Sequence, residues 1–253
     1  MLNQVTIGSA KAYVFDTKDL HSCQVVLSSS SKVAKLSSLR YDVPNGYREV
    51  ARVNASIFDM NNGTHQGWEY SDTFKTSQPK DTRADAMQFL DGSIRMGDIG
   101  KDEVDLSQIK WAYSGSHVII QDDKDVTITA SWRTQYPSGK YCWSFFASRD
   151  DGTYVIGALD EKSTCNATEL RNYLKSLGCT NAMVNDGGGS AELIVGGKIV
   201  NRTTERSIAN GLFIYEKIQE DTNTNEEVKQ LLNSLESALN QALEYKNKIK
   251  ELL

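Results

Sequence analysis

Short apolar runs, bounded by turns containing Gly, Asp or Ser, dominate the chain as far as Ala158 and predict a strand-rich body. Val5–Ile7, Ala12–Phe15 and Cys23–Leu27 read as strands, and the polar stretch Ser28–Lys32 predicts a break before Val33–Leu36. Val50–Asp59 is an apolar strand interrupted by Asn54 and Ser56. Buried polar groups must be paired, so this strand either carries a satisfied network or faces a site. Met87–Leu90 and Ser93–Met96 flank Asp91-Gly92, a hairpin signal. Ile109–Tyr113, Val118–Ile120 and the alternating Val126–Thr129 continue the pattern. Cys142–Ala147 and Thr153–Ala158 flank the turn Asp150-Asp151-Gly152.

One helix is well marked within this body. Asn166 can cap it with Glu169 three residues on, Leu170, Tyr173, Leu174 and Leu177 form one apolar stripe, and Gly178 ends it. The long polar connection from Met60 to Asp85 carries Trp68, Tyr70 and Phe74. These aromatics suit either a lid over a sugar or, as the preferred reading, anchors that tie the connection to the body. Past Asp221 the pattern changes. Thr224 and Glu227 form a capping box for a terminal helix in which Val228, Leu235, Ala242 and Ile249 repeat every seven residues, with Leu231, Ala238, Tyr245 and Leu252 as the partner row. Acids at its start and lysines at its end complement the helix dipole. The expected organisation is an α+β, strand-rich mixed-sheet body over 1–218, a linker over 219–225 and an amphipathic, coiled-coil-like helix over 226–253. That helix predicts a homo-oligomer, with three chains preferred.

Helix, loop and the buried run Ala182–Val184 lead into Asn185-Asp186-Gly187-Gly188-Gly189-Ser190. Leu193–Val195 leaves this turn and doubles back at Gly196-Gly197 into Ile199-Val200, a hairpin whose two turn positions need positive φ. Asp186 is thus expected at the end of a buried strand, followed by glycines whose amides can line an anion-binding concavity. A tight turn with a solvated Asp fits the hexapeptide equally well. Arg206 and Asn210, just before the closing strand Gly211–Tyr215, can meet a phosphate or a sugar hydroxyl, while an Arg paired with a nearby carboxylate has comparable weight.

Composition narrows the function classes. The 253 residues carry a net charge of −5 with no basic block, which excludes duplex nucleic acid as an expected partner. Four cysteines (Cys23, Cys142, Cys165, Cys179) lie far apart without zinc or redox spacing and read as reduced, structural residues. Three histidines are scattered. No cofactor is expected; the Asp122-Asp123 and Asp150-Asp151 pairs read as solvated turns rather than calcium sites. No signal-peptide pattern and no run of ~18 apolar residues occurs, so the expectation is a soluble protein, cytoplasmic or associated with a phage virion. The four Asn-x-Ser/Thr sequons then carry little weight.

With these residues assembled, the stretch from Asn166 to Tyr215 resembles the phosphodiester glycosidase family. The resemblance rests on Leu177-Gly178, Asp186 to Ser190, Val200-Asn201, Glu205-Arg206 and Ala209-Asn210, in order and spacing. Val53–Phe58 is similar to the family's Asn-Gly-Gly-Phe-Phe strand with both glycines changed, and Ser114-Gly115-Ser116 to its mid-chain Gly-rich turn. Asn185 stands where the family has Leu. The family's Arg-Thr pair is missing between Trp143 and Ser148, with Arg133-Thr134 and Arg149 as the nearest substitutes. The resemblance covers residues 1 to about 218 and implies hydrolysis of a sugar-1-phosphodiester, on a cell-surface glycan or phosphosugar. It implies Asp186 as catalytic base or nucleophile and Glu192 or Asp59 as a second carboxylate. Gly187, Gly188, Gly189, Ser190 and Arg206 would hold phosphate, and Asn54 and Asn210 would bind sugar hydroxyls. The alternative on the same scaffold is a non-catalytic glycan-binding adhesin or phage tail module, multimerised for avidity.

Overall fold

Apolar runs too short for helices fold as antiparallel strands in the computed structural model, which describes residues 1–71, 75–76, 84–126, 139–219 and 222–251. β1 (Leu2–Ile7) turns at Gly8, φ 61°, into β2 (Ala10–Asp16). β3 (Cys23–Lys35) continues past the polar stretch, but its ladder with β17 shifts register there, between Ser29 opposite Asn210 and Ala34 opposite Ile208, where the pattern predicts a break. β4 (Tyr47–Asn54) ends at Asn54 rather than at Asp59, for a reason that belongs to the site below. β5 (Glu69–Tyr70) and β6 (Lys75–Thr76) lie in the long polar connection. β7 (Ala84–Phe89) and β8 (Ile94–Gly97) form the Asp91-Gly92 hairpin. β9 (Ile109–Gly115), β10 (His117–Gln121) and β11 (Lys124–Asp125) follow, and the predicted strand at 126–129 runs outside the described residues after Val126. β12 (Ser144–Ser148), β13 (Tyr154–Leu159), α1 (Ala167–Ser176), β14 (Asn181–Val184), β15 (Leu193–Val195), β16 (Lys198–Ile199) and β17 (Ser207–Lys217) complete the body.

The strands form three sheets. The largest has the order β1-β2-β13-β12-β14-β10-β11, the second β16-β15-β4-β17-β3, and the third β6-β5-β9-β7-β8. All three contribute to one core: Phe146, Ile156 and Met183 from the first, Val53, Leu193 and Leu212 from the second, Ala86, Trp111 and Tyr113 from the third. The opposite face of the first sheet is buried too, since Phe145, Val155 and Val184 pack with Leu170 and Leu174 of α1. Burial on both faces explains why β12, β13 and β14 read as unbroken apolar runs rather than alternating ones. The predicted capping box of α1 is present: Asn166 Oδ1 accepts the Glu169 N–H and Glu169 Oε2 accepts the Asn166 N–H, both at 2.8 Å.

Two of the aromatics in the long connection are anchors. Trp68 is fully buried with its indole N–H on the Ile99 carbonyl at 2.9 Å, and the Tyr70 hydroxyl donates to the Leu106 carbonyl at 3.2 Å. Phe74 lies outside the described residues. Cys23, Cys142, Cys165 and Cys179 are free thiols, and burial pushes the last two up to about 12.

Contacts divide the chain into two units, Met1–Lys217 and Ile218–Leu253. The second is built on α2 (Thr222–Glu251), which starts before Thr224, so that residue lies inside the helix and not at its cap. The side chains of Thr224, Glu227 and Tyr245, and Leu252 as a whole, lie outside the described residues. Leu231 and Leu235 of the heptad rows are 70% and 68% exposed. Among the described residues no helix is long and apolar enough to cross a membrane.

Candidate active site

Three strands converge where β14 ends. The Asn185 N–H donates to the Ser144 carbonyl on β12, and the Asp186 N–H to the carbonyl of Ala55 just past β4, both at 2.9 Å. The Asp186 carbonyl accepts the Asn54 side-chain amide at 2.6 Å and the Ser144 hydroxyl at 2.9 Å. Asn54 is fully buried, and its Oδ1 accepts the Glu192 N–H at 3.0 Å on the far side of the turn. Its own carbonyl accepts the Asn185 amide at 2.8 Å, while Asn185 Oδ1 takes the Tyr113 hydroxyl at 2.7 Å. This is why β4 stops at Asn54: its polar groups leave the ladder for the turn. Asn54 is therefore a brace under Asp186. The half-buried side chain of Asp186 sits at a corner whose backbone cannot drift.

The glycines are required by what lies against them. A Cβ on Gly187 would come 2.6 Å from a Tyr141 ring carbon and 2.8 Å from the Cys142 carbonyl. A Cβ on Gly189 would come 2.9 Å from a guanidinium nitrogen of Arg206. Tyr141 and Arg206 thus flank the turn, and the Arg206 guanidinium lies 5.6 Å from the centroid of the Phe58 ring. The expectation of three open glycine amides is corrected in one position. Gly188, at φ 60°, donates its N–H to the Cys142 carbonyl at 2.7 Å, so that amide is spent within the fold. The Ser190 and Ala191 amides close the short 3-10 turn Gly188–Ser190 on Gly187 and Gly188 at 3.2 Å each, and Ser190 is buried. Arg202 donates to the carbonyls of Gly189 and Ala191, a second guanidinium beside the turn that the sequence reading did not single out.

Asn210 is another brace. Its Oδ1 accepts the Ser56 N–H at 2.7 Å, and its amide donates to the Ser56 hydroxyl at 2.8 Å and to Glu69 Oε1 at 3.4 Å. Fully buried Glu69 in turn meets His65 Nδ1 at 2.8 Å. Neither partner was legible, since nothing in the spacing of three scattered histidines points to a carboxylate within the polar connection.

The other two candidate carboxylates, Asp59 and Glu192, have contacts of their own. Asp59 Oδ1 accepts the Asn61 N–H at 2.8 Å, closing its own turn. Glu192 is buried, and its Oε1 has no hydrogen-bond partner. Burial first and the Glu205 charge second push Glu192 up to about 7, against the pull of Arg202. Neither contact joins Glu192 or Asp59 to Arg206, so Asp186 is the carboxylate that shares its turn with the guanidinium.

Arg149 does not stand in for the family's missing Arg. It sits past the other end of β12, where its guanidinium takes Asp16 at 2.7 Å, the Leu177 carbonyl at 2.7 Å and the Thr153 hydroxyl at 2.9 Å. It also lines a cleft of about 380 Å³ with Ile94, Tyr154 and Asn181, remote from the Asp186 turn at the opposite end of β14. Arg133-Thr134 lies outside the described residues.

If Asn54 is a brace, Asn54→Ala removes two buried side-chain bonds and leaves the Glu192 amide without its acceptor. Denaturant unfolding should then show a loss of about 2–4 kcal/mol, well above a surface substitution. A loss under about 0.5 kcal/mol would remove the brace from the account.

Comparison with known proteins agrees with this geometry. No curated protein sequence matches the chain. The family model for phosphodiester glycosidases matches residues 47–215. Among solved structures, a hypothetical protein from Synechocystis superposes with a TM-score of 0.66 at 12% identity, over 85% of this chain and 61% of that one. The chain therefore spans less than two thirds of that protein. The catalytic domain of zebrafish N-acetylglucosamine-1-phosphodiester α-N-acetylglucosaminidase superposes with a TM-score of 0.66 at 16% identity, over 84% of this chain and 80% of that one. At such identities the likeness concerns the fold. The family match spans the Asn54 brace, the Asp186 turn and Arg206 together, and by it this chain belongs to the phosphodiester glycosidase family.

Proposed function

We propose that this protein hydrolyses a sugar-1-phosphodiester at the Asp186 turn, releasing a free sugar and a phosphomonoester. The observation that carries the reading is the Arg206 guanidinium lying directly over bare Gly189, on the turn that begins with Asp186. A guanidinium fork suits phosphate oxygens in both charge and shape. Arg206, with the amides of Gly187 and Gly189, holds the phosphate. Asp186 serves as base or nucleophile toward the anomeric carbon, where positive charge develops as the bond to phosphate breaks. A phosphomonoester leaves readily, so the step does not depend on a protonating acid. Glu192 and Asp59 then need no catalytic role. Tyr141 and Phe58, on the two sides of the turn, offer apolar faces for the sugar ring. Asn54 and Asn210 act through the backbone they hold. The zebrafish enzyme's name gives a substrate of this class, and the family match supports the same class here.

The terminal helix supports self-assembly. Its heptad rows expose Leu231 and Leu235, and a second copy of the same helix is the partner that this repeat fits. Leu231→Glu with Leu235→Glu in the full chain should lower the mass read by light scattering to that of one chain. An unchanged mass above that of one chain would sink the helix as its cause.

Turnover is tested on a panel of sugar-1-phosphodiesters by following reducing sugar and phosphomonoester. The wild type should release both from at least one member, and Asp186→Asn should lose about 10³-fold in rate with its Tm nearly unchanged. Full turnover in that variant would end the assignment. Binding of the panel without turnover by the wild type would instead mark a glycan-binding module.

A further inference from the structure

A run of glycines can offer an anion one amide after another, but here the middle one is missing: the Gly188 N–H is spent on the Cys142 carbonyl at 2.7 Å. Another donor stands at that same residue. A Cβ on Gly188 would come 2.6 Å from the hydroxyl oxygen of Tyr141, so the phenol lies over the glycine whose amide is spent. A Cβ on the next glycine, Gly189, would come 2.9 Å from a guanidinium nitrogen of Arg206. Hydroxyl and guanidinium thus cap successive residues of one turn. The ring of Tyr141 lies over Gly187, and packing there would need only a phenyl group.

We propose that the Tyr141 hydroxyl is a second ligand for the phosphate, donating a hydrogen bond at Gly188 in place of the amide that the fold consumes. The assignment rests on the reading of the Asp186 turn as a phosphodiester site with Arg206 as its charged ligand. A phenol O–H turns to suit its acceptor, and its oxygen accepts as well as donates. The guanidinium supplies charge, and the phenol adds a neutral donor beside it. As the bond to the sugar breaks, negative charge grows on the departing phosphate, and a donor already aimed there binds it more tightly. The proton stays on the phenol throughout, so Tyr141 stabilises the leaving phosphate without acting as an acid.

The phenol is held in place from the backbone outward. The Tyr141 N–H donates to the Cys165 carbonyl at 3.0 Å, and the Cys165 N–H to the Tyr141 carbonyl at 3.2 Å. The same Cys165 carbonyl takes the indole N–H of Trp143 at 2.8 Å. The buried Trp143 ring meets the Tyr141 ring with centroids 5.0 Å apart, and buried His117 meets Trp143 edge-on at 5.2 Å. Cys142, between the two aromatics in the chain, supplies the carbonyl that binds Gly188. Phenol and turn are therefore tied to each other through one short segment. A donor fixed in this way loses little further freedom when an anion arrives.

Full-length wild type, Tyr141→Phe, Tyr141→Leu and Arg206→Gln are compared by Tm, by calorimetric affinity for sulfate, and by kcat/KM on a sugar-1-phosphodiester. Phe keeps the ring against Gly187 and Trp143, so its Tm should stay within about 2 °C of wild type. Its sulfate affinity should fall about tenfold, the effect of one hydrogen bond to a charged group, and its kcat/KM about 10²-fold. Leu should lose the same affinity and several degrees of Tm besides, because the ring goes with the hydroxyl. Arg206→Gln should weaken sulfate binding more than Phe does. Wild-type sulfate binding and turnover in Tyr141→Phe, with Arg206→Gln impaired, would overturn the role of the hydroxyl and leave the phosphodiester reading standing. Neither sulfate binding nor turnover by the wild type, or undiminished binding in Arg206→Gln, would overturn that reading and the Tyr141 assignment with it.

Discussion

The structure turns on one buried amide. Asn54 donates to the Asp186 carbonyl and accepts the Glu192 N–H, so a single side chain spans the mouth of the turn from strand to strand. A glycine-rich segment is the most costly kind of backbone to immobilise, because its unfolded state has most freedom to lose. Hydrogen bonds from Asn54, Asn185 and Ser144 supply that immobilisation from below, while Tyr141 and Arg206 occupy the space that the glycines leave open. Rigidity and access are thus separated. Long polar side chains do the holding from inside the fold, and the bare backbone faces the ligand side.

The same division explains why so many polar residues near the turn are engaged with other parts of the fold. Asn210 ties the segment after β4 to the closing strand β17 through both ends of its amide, and Glu69 with His65 extends that network into the long connection. A buried polar network of this kind holds its geometry because each group would be costly to strip of its partner. The groups proposed to react are then few: one carboxylate, one guanidinium and the amides between them.

Much of the scaffold was legible in the chain. The α1 capping box, the Gly196-Gly197 hairpin and the doubly buried strands β12 to β14 follow from local pattern, because their determinants lie within a few residues of each other. The interruption of β3 was legible in its polar stretch, but its resumption after a register shift was not, since Ser28 and Ser29 join the ladder through Gly211 and Asn210 far along the chain. At the site the residues were recognisable and their roles were not. A polar residue in an apolar strand reads the same whether it reaches into a cleft or into the backbone of another segment. Asn54 was open between those readings and Asn210 was read as a candidate ligand, whereas the bonds both make to other segments depend on the three-dimensional meeting of β4, β14 and β17. Glu205 was legible as part of a motif, but its hold on the Ser37 amide and hydroxyl was not, because no local spacing encodes a contact between residues so far apart in the chain.

The central claim is that Arg206 must lie over a glycine with no side chain for the turn to act on an anionic sugar derivative. Gly189→Ala tests it most directly. The added methyl meets the end of a flexible arginine rather than backbone, so Tm should hold while the guanidinium is displaced. Hydrolysis of a sugar-1-phosphodiester should then fall by about 10²-fold. Wild-type turnover from a folded Gly189→Ala protein would contradict the account.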